Sequence, residues 1–159
     1  MRRPQKGFSL IELLIVVAII LIIAAIAIPN LLRARIQANE ASAVSSIHAI
    51  NTAEISYSTA FSNVGFSAAL ADLGDGGTNP CPGTATASCY IDSSLASGTK
   101  SGYTLTYTQD STSTPALHYT VLVDPASRGI SGQRSFYSSD SNLTRYNTVA
   151  TASSTDSPL

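Results

Sequence analysis

Glu12 raises the first chemical question in this sequence: a carboxylate stands at the threshold of sixteen consecutive apolar residues, Leu13 to Ile28. A charge in hydrocarbon is costly unless it has a partner or a function. Two thiols come next. Cys81 and Cys89 bracket Pro82-Gly83-Thr84, and two cysteines this close in an oxidising compartment point to a disulfide, since two ligands do not complete a zinc shell. His48 and His118 fall within ordinary helix and strand patterns, and neither a Gly-x-Ser-x-Gly elbow nor a phosphate-binding glycine loop accompanies them. Asp140-x-Asn142-x-Thr144 looks like the start of a calcium loop but lacks the later glycine and the closing acid, so a hairpin turn is the better reading. No enzyme, metal or cofactor is expected from these residues.

The elements that must position Glu12 follow from composition. The chain has 159 residues and a net charge of −1, which fits one N-terminal segment plus one small module. Arg2, Arg3 and Lys6 precede the apolar run and place the N-terminus on the cytoplasmic side. No basic face suggests a nucleic-acid partner. With Phe8 to Ile11, the run approaches the roughly 20 residues that span a bilayer as a helix. Three fates are open to it. A secretory signal peptide would be cut after Ala25-Ile26-Ala27, before Ile28. An uncleaved anchor would leave Glu12 unexplained. In the third reading the basic leader is removed and the helix is kept.

Gly7-Phe8-Ser9-Leu10-Ile11-Glu12, with the leader before it and Pro29 after it, resembles the N-terminus of the type IV pilin and type II secretion pseudopilin superfamily. The resemblance covers Lys6 to about Glu40. It implies cleavage after Gly7 by a prepilin peptidase, N-methylation of Phe8, and polymerisation into a helical homo-oligomeric filament from the inner membrane. An assembly platform and ATPase are implied partners. A free Phe8 amine would stand four residues before Glu12, close enough for Glu12 to pair with it in its own chain or in a neighbour. Glu12 would then pin subunit register. Pro29 breaks one helical hydrogen bond and predicts a kink, and the resemblance implies that Ala24 to Ile28 is locally extended.

After Pro29, Ile36, Ala43, Ile47, Ile50, Tyr57 and Phe61 form an amphipathic stripe. Glu40 and Glu54 share it and are expected at its solvated edges, with His48 facing water. Phe66 to Leu73 and Asp92 to Ala96 suggest short helices, the second capped by Asp92. Alternating strands are expected at Tyr103–Thr108, Tyr119–Val123, Arg134–Ser138 and Leu143–Asn147. The predicted fold is α+β: a long N-terminal helix, kinked near Pro29, packed on an antiparallel sheet of three to four strands. The organisation reads as leader 1–7, membrane and assembly helix 8–29, amphipathic helix 30–61, globular domain 62–149, and a disordered tail 150–159. The expected function is an extracellular pilus-like filament subunit. Two alternatives stand beside it: a major pseudopilin in a periplasmic pseudopilus, and a monomeric anchored or secreted binding module.

Overall fold

The computed structural model describes residues 7–77 and 80–159. The leader residues Arg2, Arg3 and Lys6 lie outside that set. The chain divides into two compact units, residues 1–35 and 36–159.

Helix α1 is assigned over Leu10–Ala60. In the first unit its side chains are almost all apolar and exposed, and an 18-residue window reaches a mean hydropathy of 3.3. At about 1.5 Å per residue, the apolar stretch is long enough to cross a membrane. The helix continues without interruption through Ala24–Ile28 and Pro29, so the extended segment implied by the resemblance is absent from this chain on its own. Pro29 removes a single donor, and the residues around it are strong helix formers that hold the flanking turns.

In the second unit, the part of α1 from Ile36 onward lies on a five-stranded antiparallel meander. Its strands are β1 (Thr99–Lys100), β2 (Tyr103–Gln109), β3 (Tyr119–Pro125), β4 (Ser135–Ser139) and β5 (Arg145–Asn147), in sequential order. The additional strand relative to the sequence reading is the two-residue β1, too short to carry an alternating signal. Bulky residues of β2 and β3 point inward while Thr104 and Thr106 point out, as the two-residue period requires. Ile47, Ile50 and Tyr57 of α1 meet Tyr103, Tyr119, Val121, Val123 and Phe136 in one core. Gly132 is needed here: the Tyr103 ring occupies the space a Cβ would fill, and its hydroxyl donates to the Arg134 carbonyl at 2.9 Å.

Phe66–Leu73 is helical only as a 3-10 turn at Leu70–Leu73. Helix α2 is Ser93–Ala96, with the Asp92 side chain accepting from the Leu95 N–H at 2.8 Å. The expected disorder of residues 150–159 is not met. Tyr146 N–H donates to Ser157 O at 3.0 Å, Leu159 N–H donates to Thr144 O at 2.9 Å, and the Arg145 guanidinium donates to Asp156 O at 2.6 Å. These bonds lay the tail along the outer edge of β5 and cover backbone groups that would otherwise invite pairing.

Candidate functional site

The N-terminal segment begins outside the helix. Gly7, Phe8 and Ser9 are non-helical and exposed, and α1 starts at Leu10. Glu12 turns back on this start: its Oε2 accepts from the Ser9 N–H at 2.9 Å, while Leu13 N–H donates to Ser9 O at 3.2 Å. Ser9 is therefore the N-cap, and Glu12 at the third helical position supplies one half of a capping box. A carboxylate in the first turn also opposes the positive end of the helix dipole. The sequence reading passed over this contact, although Ser-x-x-Glu before an apolar run is its signature. The Glu12 carboxylate is thus held at Ser9, the residue that follows Phe8. From Leu13 to Leu32 this unit presents an apolar surface broken only by Asn30, with Arg33 and Arg35 exposed at its far end.

In the second unit, Glu40 and Glu54 are buried, contrary to the expectation that both lie at solvated edges. Glu40 Oε1 accepts from the N–H groups of Gln133 and Arg134 at 2.9 and 3.1 Å, and Oε2 accepts from Arg134 Nε at 2.7 Å. Burial alone would raise its pKa. The hydrogen bonds from Gln133 and Arg134, with the Arg134 charge, outweigh that and hold the carboxyl below its ordinary value. Arg134 in turn lies over the Phe136 and Tyr146 rings at 5.6 and 5.7 Å.

Glu54 is fully buried and receives both donors of one residue, Ser67 N–H at 3.1 Å and Ser67 Oγ–H at 2.5 Å. Tyr107 closes the cluster by donating to Ser67 O at 2.9 Å. Burial pushes the Glu54 pKa up, and these hydrogen bonds only partly oppose it. Asn51 adds a third polar tie, donating to Ser138 Oγ at 3.0 Å and accepting from Tyr119 at 3.1 Å. All three residues lie on the buried stripe of α1. The reason the sequence misplaced the glutamates is that their partners lie 93 or 94 and 13 residues away.

Cys81 and Cys89 form a disulfide, with their Cα atoms 6.4 Å apart. The loop it closes is docked rather than free: Tyr57 donates to Ala85 O at 2.7 Å, and Cys89 N–H donates to Gly74 O at 2.9 Å. His48 is exposed on α1. His118 lies 3.0 Å from Asp140, and the turn after β4 is closed by Asn142 N–H to Ser139 O at 2.8 Å. Among the described residues, no three His, Cys, Asp or Glu side chains are placed to hold a metal ion.

Residues 2–28 match the family described as the prokaryotic N-terminal methylation motif. The N-terminal segment carries a prepilin-type methylation motif. The motif includes Gly7, Phe8 and Glu12, the non-helical start and the capping residue described above. Over 38 residues the chain is 68% identical to the type IV wide pilus major component PilA4 of Thermus thermophilus, a match covering 24% of this chain and 29% of that protein. Over 53 residues it is 47% identical to the type IV major pilin protein PilA of Myxococcus xanthus, covering 33% of this chain and 24% of that one. The matched stretch therefore spans less than a third of either relative. No solved structure matches the chain.

Proposed function

We infer that this chain is the structural subunit of a type IV pilus-like filament that polymerises through α1 after cleavage at Gly7 and methylation of Phe8. The observation that carries this reading is the pairing of a methylation motif with the exposed apolar first part of α1, residues 10–32, whose one acid is Glu12. So large an apolar surface requires either lipid or other copies of the same surface around it. The membrane serves before assembly, and neighbouring helices serve afterwards.

Glu12 makes the second environment specific. A carboxylate within a spanning helix costs about 2.5–3.5 kcal/mol on insertion scales, and an ammonium on Phe8 of an adjacent subunit offsets that only at one register. Its bond to Ser9 N–H keeps the carboxylate beside the residue that becomes the new N-terminus. The same device would serve the major pseudopilin of a periplasmic secretion pseudopilus. Both relatives being named as pilins favours the extracellular filament. Prepilin peptidase, platform and ATPase are the partners this reading requires.

Replacing Glu12 by Ala tests it. The subunit is expected to insert in the membrane and accumulate there, with filaments on the cell surface greatly reduced. Filaments of normal number from the Glu12→Ala chain would refute the register role.

A further inference from the structure

Among the described residues of the second unit, the two most exposed large apolar side chains are Val149 at 84% and Ile130 at 64%. Hydrogen bonds bring their segments together: Gln133 Nε2 donates to Thr148 O at 3.2 Å, and Arg128 Nη2 donates to Ala150 O at 3.1 Å. The same turn grips the part of α1 with which this unit begins. Asn39 Nδ2 donates to Ser131 O at 2.8 Å, and Gln133 N–H donates to Glu40 Oε1 at 2.9 Å. Ile130 and Val149 therefore stand at the end of the unit where the chain enters it.

Single exposed apolar residues are ordinary on a protein surface, but three features set this end apart. The first is reach. Seven residues lead from Leu32, the last of the apolar stretch, to Asn39, and in any conformation they span at most about 25 Å. Leu117, also exposed, is at the opposite end of β3, about 20 Å along the strand from where the turn begins. The second is charge. Residues 126–133 and 147–151 contain no acid, and their one charged side chain is Arg128. Glu40 beside them is taken up by Arg134. Asp110 and Asp140, by contrast, bond to His118 O and Tyr119 O at the far end of β3. The third is the backbone. Ile130 N–H donates to Ser127 O at 3.1 Å and Gly129 N–H to Gly132 O at 2.8 Å, while the N–H groups of Val149 and Ala150 both reach Asn147 Oδ1 at 2.9 Å. Donors already paired cost little to move out of water. Gly129, at φ 83°, forms an open tip where a Cβ would meet no atom within 4 Å.

We propose that Ile130 and Val149 seat in the headgroup layer of the membrane that α1 spans and hold the second unit on the bilayer surface before assembly. The proposal rests on the membrane reading of α1 given above. Apolar tips flanked by Arg and free of carboxylates suit that layer, which attracts cations and repels acids where its lipids are anionic.

The chain has no tryptophan, so one introduced Trp reports one position. Ile130→Trp, Val149→Trp, Leu117→Trp and Leu21→Trp are each reconstituted as full chains in vesicles of phosphatidylethanolamine and phosphatidylglycerol. The vesicles also carry phosphatidylcholine brominated either just below the headgroup or near the chain ends. The expected result is loss of Ile130→Trp and Val149→Trp emission with the shallow bromines, loss of Leu21→Trp emission with the deep ones, and none for Leu117→Trp with either. If Leu21→Trp is quenched while either Ile130→Trp or Val149→Trp keeps its emission, the proposal alone is overturned. Equal quenching of Leu117→Trp overturns it as well, because the unit would then lie on lipid without preference for this end. A blue shift that grows with the protein-to-lipid ratio but ignores bromine marks a contact between copies and also overturns it. Leu21→Trp untouched by either lipid overturns the membrane reading and this proposal with it.

Discussion

Replacing Arg134 by alanine removes the cation that faces Glu40 and measures how much the buried carboxylate contributes to holding α1 on the sheet. The substitution deletes the 2.7 Å bond from Nε but leaves the two backbone N–H donors at 2.9 and 3.1 Å. Breaking a fully buried pair costs about 3–5 kcal/mol. Arg134 is 37% exposed, so water re-solvates part of the site and a discounted value of about 2 kcal/mol is appropriate. Loss of the guanidinium from the Phe136 and Tyr146 rings adds about 0.5–1 kcal/mol. The sum, about 2.5–3 kcal/mol, corresponds to a fall in Tm of about 10 °C for a unit the size of residues 36–159. Near-UV circular dichroism of the tyrosines in the detergent-solubilised chain reads this transition without interference from the first part of α1. A fall of less than about 2 °C would show that Glu40 is solvated in solution and that the contact is incidental.

Further outcomes follow from the other anchors. Glu40 and Glu54 bias stability in opposite directions with pH. The folded pKa of Glu40 lies below the ordinary 4.5, so its contribution is present above 4.5 and is lost as pH falls through the folded value. That of Glu54 is raised, so its contribution is present below 4.5 and is lost as pH rises through the folded value. Glu54→Gln should therefore gain on wild type as pH climbs from 4.5 to 8, and denaturation curves that stay parallel across that range would contradict the assignment. Replacing both Cys81 and Cys89 by Ser opens a loop with a sequence separation of 8 and should cost about 2.5 kcal/mol on the chain-entropy relation, read as a lower Tm. Deleting residues 150–159 should speed amide exchange at Tyr146 and promote aggregation through the bared edge of β5, seen by light scattering; an unchanged Tyr146 exchange rate would refute the capping role.

The local periodicities made much of this fold legible. The apolar run, the stripe from Ile36 to Phe61 and the Thr-alternating strands each signal their element within a few residues, and each element is found. Asp92 was readable as a cap because its partner, Leu95, is three residues away. What was illegible depends on distant partners. Glu40 on an apolar stripe reads as an edge residue until Gln133 and Arg134 arrive from the far end of the chain. The tail, poor in large apolar residues, reads as disordered because its order comes from backbone bonds to β5 and from Asp156, which accepts from Asn147 and Ser153. At the candidate site, Gly7, Phe8 and Glu12 were legible as a motif, whereas the Glu12–Ser9 cap was present as a spacing and went unread.

The central claim is that this chain is cut at Gly7, methylated at Phe8 and built into a surface filament. Mass spectrometry of the mature protein from its native cells, with sheared surface material and membranes taken separately, tests it most directly. The account predicts an N-terminal peptide beginning with methylated Phe8 and abundant in the sheared fraction. A mature chain beginning at Ile28, or one that retains Met1 to Gly7 in the sheared material, would contradict it.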